Sequence, residues 1–316
     1  MCAPRWDSGA VFNALIGGHG GYAITPSNRF VWGGYYEPGS LIWHSRWVTS
    51  AGMYESREAL AMPGDSHRAV LLRRILAKEC DAPVVIRLDP CADYGTSALR
   101  AIRRDGDVWE ARAGELWLRW TGAPDAQLTG PRSSRCFGLE LTVPVGAHHD
   151  LVLEVSDQRL PDSPPDADAA WRATETAWQD GVPLLERTIA PTDTRHTYAV
   201  LRGLTSASGG MVAAATTSLP ERAEAGRNYD YRYVWIRDQS YAGQAAAAAG
   251  AWPLVDDAVR FTAARLLEHG ERLAPAYTTT GGRVPDQRDL DLPGYPGGSD
   301  LIGNWVNKQF QLDAFG

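Results

Sequence analysis

Four aromatic rings and four charged groups fall within eleven residues, Asn228-Tyr229-Asp230-Tyr231-Arg232-Tyr233-Val234-Trp235-Ile236-Arg237-Asp238. That mixture suits a sugar. A pyranose offers an apolar face for rings to cover and a rim of hydroxyls that need partners once water is excluded, since an unpaired buried polar group costs about 1–3 kcal/mol. Arginine donates to such hydroxyls and aspartate accepts from them. If the run is extended, Tyr231, Tyr233 and Trp235 share one face and Asp230, Arg232, Val234 and Ile236 the other. Arg237 and Asp238 then point apart unless the chain bends. The alanine-rich stretch Gln239–Ala249 supplies the bend by favouring a helix. At a helix start Asp238 also has a plainer reading, as a capping carboxylate beside a structural arginine. Asp230 and Arg232, on the opposite face, read as a supporting ion pair.

These residues must be positioned by the elements around them. Val84–Leu88, Leu116–Trp120, Leu139–Val143 and Leu151–Val155 are short apolar or alternating runs, parted by glycine, proline and aspartate, and at that spacing they predict a β-sandwich. Gly17–Gly21 lacks a following Lys-Ser/Thr and reads as a hairpin turn rather than a phosphate cradle. Most tryptophans of this half are expected in the core or at an inter-domain contact. The run Pro161-Asp162-Ser163-Pro164-Pro165-Asp166 marks a boundary. Beyond it, Ala169–Trp178 is helix-favouring, with Trp171 and Trp178 nearly on one face. Thr192 or Asp193 can cap a helix that Gly203 and Ser208-Gly209-Gly210 end near Leu204. Pro253 opens another, with Val255, Val259, Thr262 and Leu266 about one turn apart and Gly270 as its C-terminal cap. The expected domains are therefore a β-sandwich over 1–160, a linker with a helix over 161–190, and helical hairpins joined by long loops over 191–316. The loop Thr278–Asp300 exceeds an ordinary connection.

Composition excludes several classes. A net charge of −7 argues against nucleic acid and against an anionic membrane surface. No run reaches the length of a membrane span, and the N-terminus lacks a signal-peptide pattern. Cytoplasmic localisation is the default expectation. Cys2, Cys80, Cys91 and Cys136 show no metal-ligand spacing and are expected as free thiols. His148-His149-Asp150 is expected as a solvated turn, so neither metal nor cofactor is assigned. Nucleophile-elbow, zinc-protease, dinucleotide and Walker signatures are absent from the sequence.

The segment Tyr231–Asp238 resembles the signature of glycoside hydrolase family 15, which holds glucoamylases, glucodextranases and bacterial trehalases. Met211–Glu221, Asp289–Tyr295, Ile302-Gly303-Asn304, Gln309–Gly316 and the opening Cys2–Ser8 are similar to further blocks, in the family's order. The resemblance implies an antiparallel β-sandwich followed by an incomplete α/α barrel, the first helices of a six-hairpin (α/α)6 toroid. It implies inverting hydrolysis of α-glucosidic bonds, with a small α-glucoside such as trehalose, or an α-glucan end, as partner. Tyr231 and Trp235 would cover the innermost sugar while Arg237 and Asp238 pair its hydroxyls. Asp286, Arg288 and Tyr295 are weaker substrate-binding candidates, since a plain surface loop with mutual ion pairs accounts for them equally, as it does for Asp289 and Asp291. A carboxylate paired with arginine is favoured in its charged form, which suits binding rather than proton donation. Inversion needs two carboxyl groups about 6.5–9.5 Å apart, and the family's acid and base are expected beyond Gly316, so no catalytic residue is assigned in this chain. The start is likewise expected to be clipped. Three readings follow: a hydrolase whose acid and base lie outside this sequence, a non-catalytic carbohydrate-binding remnant, or a non-functional fragment. A complementing C-terminal half or self-association is the expected protein partner.

Overall fold

Period-two alternation builds the first half of the chain and three-to-four periodicity the second. The computed structural model describes residues 1–222, 224 and 226–314. Contacts group the chain into one unit of Met1–Pro4, Gly9–Ala14 and His19–Gly181 and another of Arg5–Ser8, Leu15–Gly18 and Val182–Gly316.

The first unit holds β1 (Gly21–Pro26), β2 (Val31–Tyr36), β3 (Trp43–Thr49), β4 (Gly52–Leu60), β5 (Arg68–Leu76), β6 (Ala82–Asp89), the single turn α1 (Ala92–Gly95), β7 (Leu99–Asp105), β8 (Val108–Ala113), β9 (Leu116–Thr121), β10 (Gln127–Thr129), β11 (Cys136–Val143), β12 (His148–Ser156) and helix α2 (Ala167–Gly181). Its strands pair antiparallel in two sheets, ordered β1-β6-β11-β10 and β2-β3-β4-β5-β12-β9-β8-β7. On β6, Val84, Ile86 and Leu88 are buried while Val85 and Arg87 face out. They join Leu139 of the small sheet and Tyr54, Ile75, Trp120 and Leu153 of the large one in a single core. Each such burial contributes about 1.5–3 kcal/mol. The four strands expected from sequence fall inside β6, β9, β11 and β12.

Several local expectations change. Gly17–Gly21 is not a hairpin turn: it follows a 3-10 turn at Ala14–Ile16 and leads into β1. Gly20 is required there, because its φ is +100° and a Cβ would lie 2.6 Å from the Val11 carbonyl oxygen. His148 and His149 open β12 instead of forming a turn, and the His149 ring meets the Gly122 carbonyl at 2.7 Å. Ligand atoms of His148, Asp150 and Asp168 lie within 4.8 Å of one another. The cation between the two acids is internal: the Arg74 guanidinium pairs with both. Helix α2, which the sequence assigns to a linker, packs on β5 and β12 within the first unit. Trp171 and Trp178 are its buried face, and the Trp171 indole donates to Asp150 at 3.1 Å. The proline-rich run before it is held by buried Arg119, which pairs with Glu154 and donates to the Pro161 and Ser163 carbonyls.

The second unit contains α3 (Pro191–Leu204), the ladder β13 (Leu219–Arg222) with β14 (Arg227–Tyr229), the ladder β15 (Val234–Trp235) with β16 (Ala276–Tyr277), and helices α4 (Ile236–Ala248) and α5 (Trp252–His269). Helix α3 starts at Pro191, so Thr192 and Asp193 lie inside its first turn instead of capping it. Helices α4 and α5 pack side by side, and Gly243 allows the approach: a Cβ there would stand 3.0 Å from Ala258 Cβ. Helix α5 buries Leu254, Ala258 and Phe261. Val259 and Leu266, on the face expected from sequence, are exposed. Among the described residues no helix is long and apolar enough to cross a membrane.

Candidate sugar-binding site

Within the strip before α4, Val234–Trp235 forms a strand and Tyr233 lies in a bend, and the side chains still sort to alternate sides. Tyr233 and Trp235 cluster with Ala276, Val284 and Val306, with Tyr231 packed against them. Val234 and Ile236 enter a different cluster with Val212, Phe261 and Leu273. Asp230 and Arg232 are almost wholly buried. The Arg232 guanidinium donates to both Asp230 oxygens, at 2.8 Å from Nε and 2.7 Å from Nη2. It also donates to the Trp6 and Ser8 carbonyls, at 3.3 and 2.6 Å. Asp230 further accepts from the Tyr233 hydroxyl at 3.2 Å and the Gly303 amide at 3.0 Å. Every charge here is answered by hydrogen bonds, the condition under which a buried pair is tolerated.

The bend falls at Trp235, whose φ of −79° and ψ of 132° are still extended, and Ile236 opens α4. In that first turn Arg237 and Asp238 come together, Nε to Oδ1 at 2.8 Å. The Trp235 side chain makes no capping bond. Arg237 Nη1 also reaches Asp313 Oδ2 at 2.9 Å. Asp313 and then Asp238, by these hydrogen bonds, push the Arg237 pKa up. All three side chains remain partly open to solvent. The Tyr231 ring centroid lies 5.9 Å from that of Tyr229 and 6.0 Å from that of Trp235. Burial, then the nearby charges including Glu221 and Asp238, raise the Tyr231 pKa and keep the phenol protonated. Trp235 is only 5% exposed, so of the two rings expected to cover a sugar Tyr231 has the surface to offer, with the exposed Tyr229 beside it.

The structure thus groups Tyr231, Trp235, Arg237 and Asp238 and adds Asp313, to which the sequence assigned no role. The signal available was membership of the block Gln309–Gly316, of which Phe315 and Gly316 lie outside the described residues. The weaker candidates stand apart. Asp286 pairs with Arg283 at 3.3 Å and Lys308 at 3.7 Å. Arg288 is exposed and bridges Ile302 through its backbone, and Tyr295 is exposed on the same loop. Among the described residues none of the three shares a hydrogen bond or ion pair with the Tyr231–Asp238 strip. Asp289 and Asp291 are exposed as well. The loop is nonetheless organised: Asp300 accepts from the Leu290 and Leu292 amides at 3.0 and 2.7 Å.

A half-buried phenol beside an arginine held between two carboxylates offers donors and acceptors to adjacent hydroxyls. Residues 196–316, which contain this arrangement, match the model of glycosyl hydrolases family 15. The match assigns residues 196–316 to glycoside hydrolase family 15. The trehalase of Mycobacterium tuberculosis (strain ATCC 25618 / H37Rv) is 30% identical over 362 residues, an alignment covering 100% of this chain and 51% of that protein. The trehalase of Mycolicibacterium smegmatis is 29% identical, over 100% and 52% respectively. The chain spans about half the length of the curated relatives it matches. A bacterial glucoamylase crystallised with acarbose shares the fold at a TM-score of 0.56 and 12% identity, over 89% of this chain and 53% of its own.

Proposed function

We propose that the second unit supplies the innermost glucose-binding wall of an inverting α-glucosidic hydrolase acting on trehalose or on α-glucan ends. In this reading helices α3 to α5 are the first members of an (α/α)6 barrel, and residues 191–316 are its N-terminal part. The observation that carries the reading is the Arg237–Asp238 contact beside Tyr231, partly open to solvent at a helix mouth. Tyr231 covers one sugar face, with Trp235 as the wall behind it. Arg237 donates to the hydroxyls and Asp238 accepts from them. Asp286, Arg288 and Tyr295 are proposed as contacts to a sugar further out. The trehalase names of the relatives favour a small α-glucoside, and the glucoamylase fold keeps glucan ends in view.

Asp238 and Asp313 are both engaged by Arg237, and neither is proposed as acid or base. The two groups that protonate the leaving oxygen and activate water are placed outside residues 1–316, so residues 1–316 are expected to bind without turnover. Isothermal titration with trehalose, maltose and an amino-sugar inhibitor tests the reading. Saturable heat whose affinity Arg237→Ala lowers roughly thirtyfold supports it, and no heat at millimolar sugar rejects it. Glucose release above background by residues 1–316 would reject the assignment of the catalytic pair.

A further inference from the structure

The aromatic strip at the site does not stop at Tyr231. Trp235 is 5% exposed, Tyr231 half-buried and Tyr229 37% exposed, and the ring centroids follow one another at 6.0 and 5.9 Å. The three rings therefore rise stepwise from the interior to solvent. Arg237 and Asp238 belong to the inner end, since Asp238 lies near enough to Tyr231 for its charge to act on the phenol. Tyr229 lies at the outer end. Among the described residues its hydroxyl makes no hydrogen bond, so the ring is not placed there to satisfy a buried group.

The ladder that carries Tyr229 is irregular at the neighbouring position. Tyr229 pairs with Leu219, Asn228 with Pro220 and Arg227 with Arg222, which leaves Glu221 as one extra residue on β13. A bulge of this kind re-aims the side chain it carries. The Glu221 carboxylate is exposed, has no ion pair among the described residues, and acts on the Tyr231 phenol together with Tyr229 and Asp238. The ladder itself is anchored. Buried Asn228 donates to the Ser218 carbonyl at 2.8 Å and to the Ser299 carbonyl at 3.5 Å, and the Ser218 hydroxyl donates to the Leu301 carbonyl. An open ring and an open carboxylate are thus held on one fixed hairpin, next to the proposed glucose wall.

We propose that Tyr229 and Glu221 hold the second ring of an α-linked disaccharide, Tyr229 beneath its apolar face and Glu221 accepting hydrogen bonds from its hydroxyls. The inference rests on the sugar-binding reading and gives the ligand a direction, outward from Arg237–Asp238 along Tyr231 to Tyr229. The ring supplies apolar contact area, and an ionised acceptor makes a stronger hydrogen bond to a hydroxyl than a neutral one does. Glu221 is given a binding role and no part in proton transfer.

Isothermal titration of residues 1–316 with glucose, maltose and trehalose in parallel tests it. The unaltered chain should bind at least one of the two disaccharides more tightly than glucose. Tyr229→Ala and Glu221→Ala should each lower that disaccharide affinity roughly tenfold and leave glucose affinity within about twofold, with the melting temperature unmoved. Tyr229→Phe should retain it, because the ring and not the hydroxyl carries the contact. Equal affinity for glucose and both disaccharides, or glucose and disaccharide weakened in step by Tyr229→Ala, overturns the proposal while leaving the innermost site standing. So does a disaccharide affinity indifferent to either alanine substitution. Absence of heat with every sugar removes the innermost site and this one with it.

Discussion

Two Arg–Asp pairs stand a few residues apart in the same strip and do different work. Asp230–Arg232 is closed to solvent and stitched to Trp6, Ser8, Tyr233 and Gly303. Arg237–Asp238 is partly open and, among the described residues, is tied to Asp313. Identical chemistry in the two places gives a structural clamp in one case and a group able to meet a ligand in the other. What separates them is the bend at Trp235, which divides the buried stretch Asp230–Arg232 from the first turn of α4 at Arg237–Asp238.

That contrast is broken most directly by substituting the closed pair. Arg232→Met should cost about 3–5 kcal/mol, because it strands the Asp230 carboxylate in the interior. A urea titration followed by tryptophan fluorescence should then show the second unit unfolded or nearly so. Unchanged unfolding would mean that Asp230 reaches water.

An intermediate case lies in the first unit. Burial alone would raise the Glu37 pKa, but hydrogen bonds from His44 and Arg57, and then their charges, outweigh it and hold it at about 2 against an ordinary 4.5. A depressed carboxylate stabilises the fold above its unfolded pKa and loses that stabilisation as pH falls. On the order of 3 kcal/mol should therefore disappear between about pH 5 and pH 2. Melting curves against pH should show it, and Glu37→Gln should flatten the acid limb.

The open pair should behave oppositely to the closed one. Arg237→Ala is expected to change stability by less than about 1 kcal/mol. Losing charge-assisted hydrogen bonds to sugar should cost about 2 kcal/mol of binding, roughly thirtyfold in affinity by titration. A loss of fold without a separable loss of binding would erase the distinction between the pairs. Smallest of all, Asp313→Asn should weaken sugar binding about threefold by loosening the Arg237 guanidinium, with the melting temperature unchanged.

Strands that bury one alternating face were legible from sequence, as β6 with Val84, Ile86 and Leu88 shows. Strands β4 and β5 were not, because Glu55, Ser56, Arg73 and Arg74 occupy positions where an apolar pattern would otherwise be read. Their polarity is consumed internally, Glu55 by His44 and Arg46 and Arg74 by Asp150. Strand β2 was hidden for the reverse reason: exposed on both faces, it has no alternation to detect. In α5 the helix itself was readable but its phase was not, since Gly243 lets α4 approach at Ala258 and turns Val259 outward. At the site, neighbours in sequence such as Asp230 and Arg232 announced their pairing, whereas Asp313 meets an arginine 76 positions away and left no local trace.

The Arg232 clamp also bears on how the molecule can be dissected. Two of its acceptors, Trp6 and Ser8, belong to the second unit although they stand at the head of the chain. An expression boundary drawn at Gly181 would detach that short N-terminal thread and leave the guanidinium lacking two carbonyls. Recombinant pieces of this protein should hence keep their first eight residues, or provide them as a peptide added in trans.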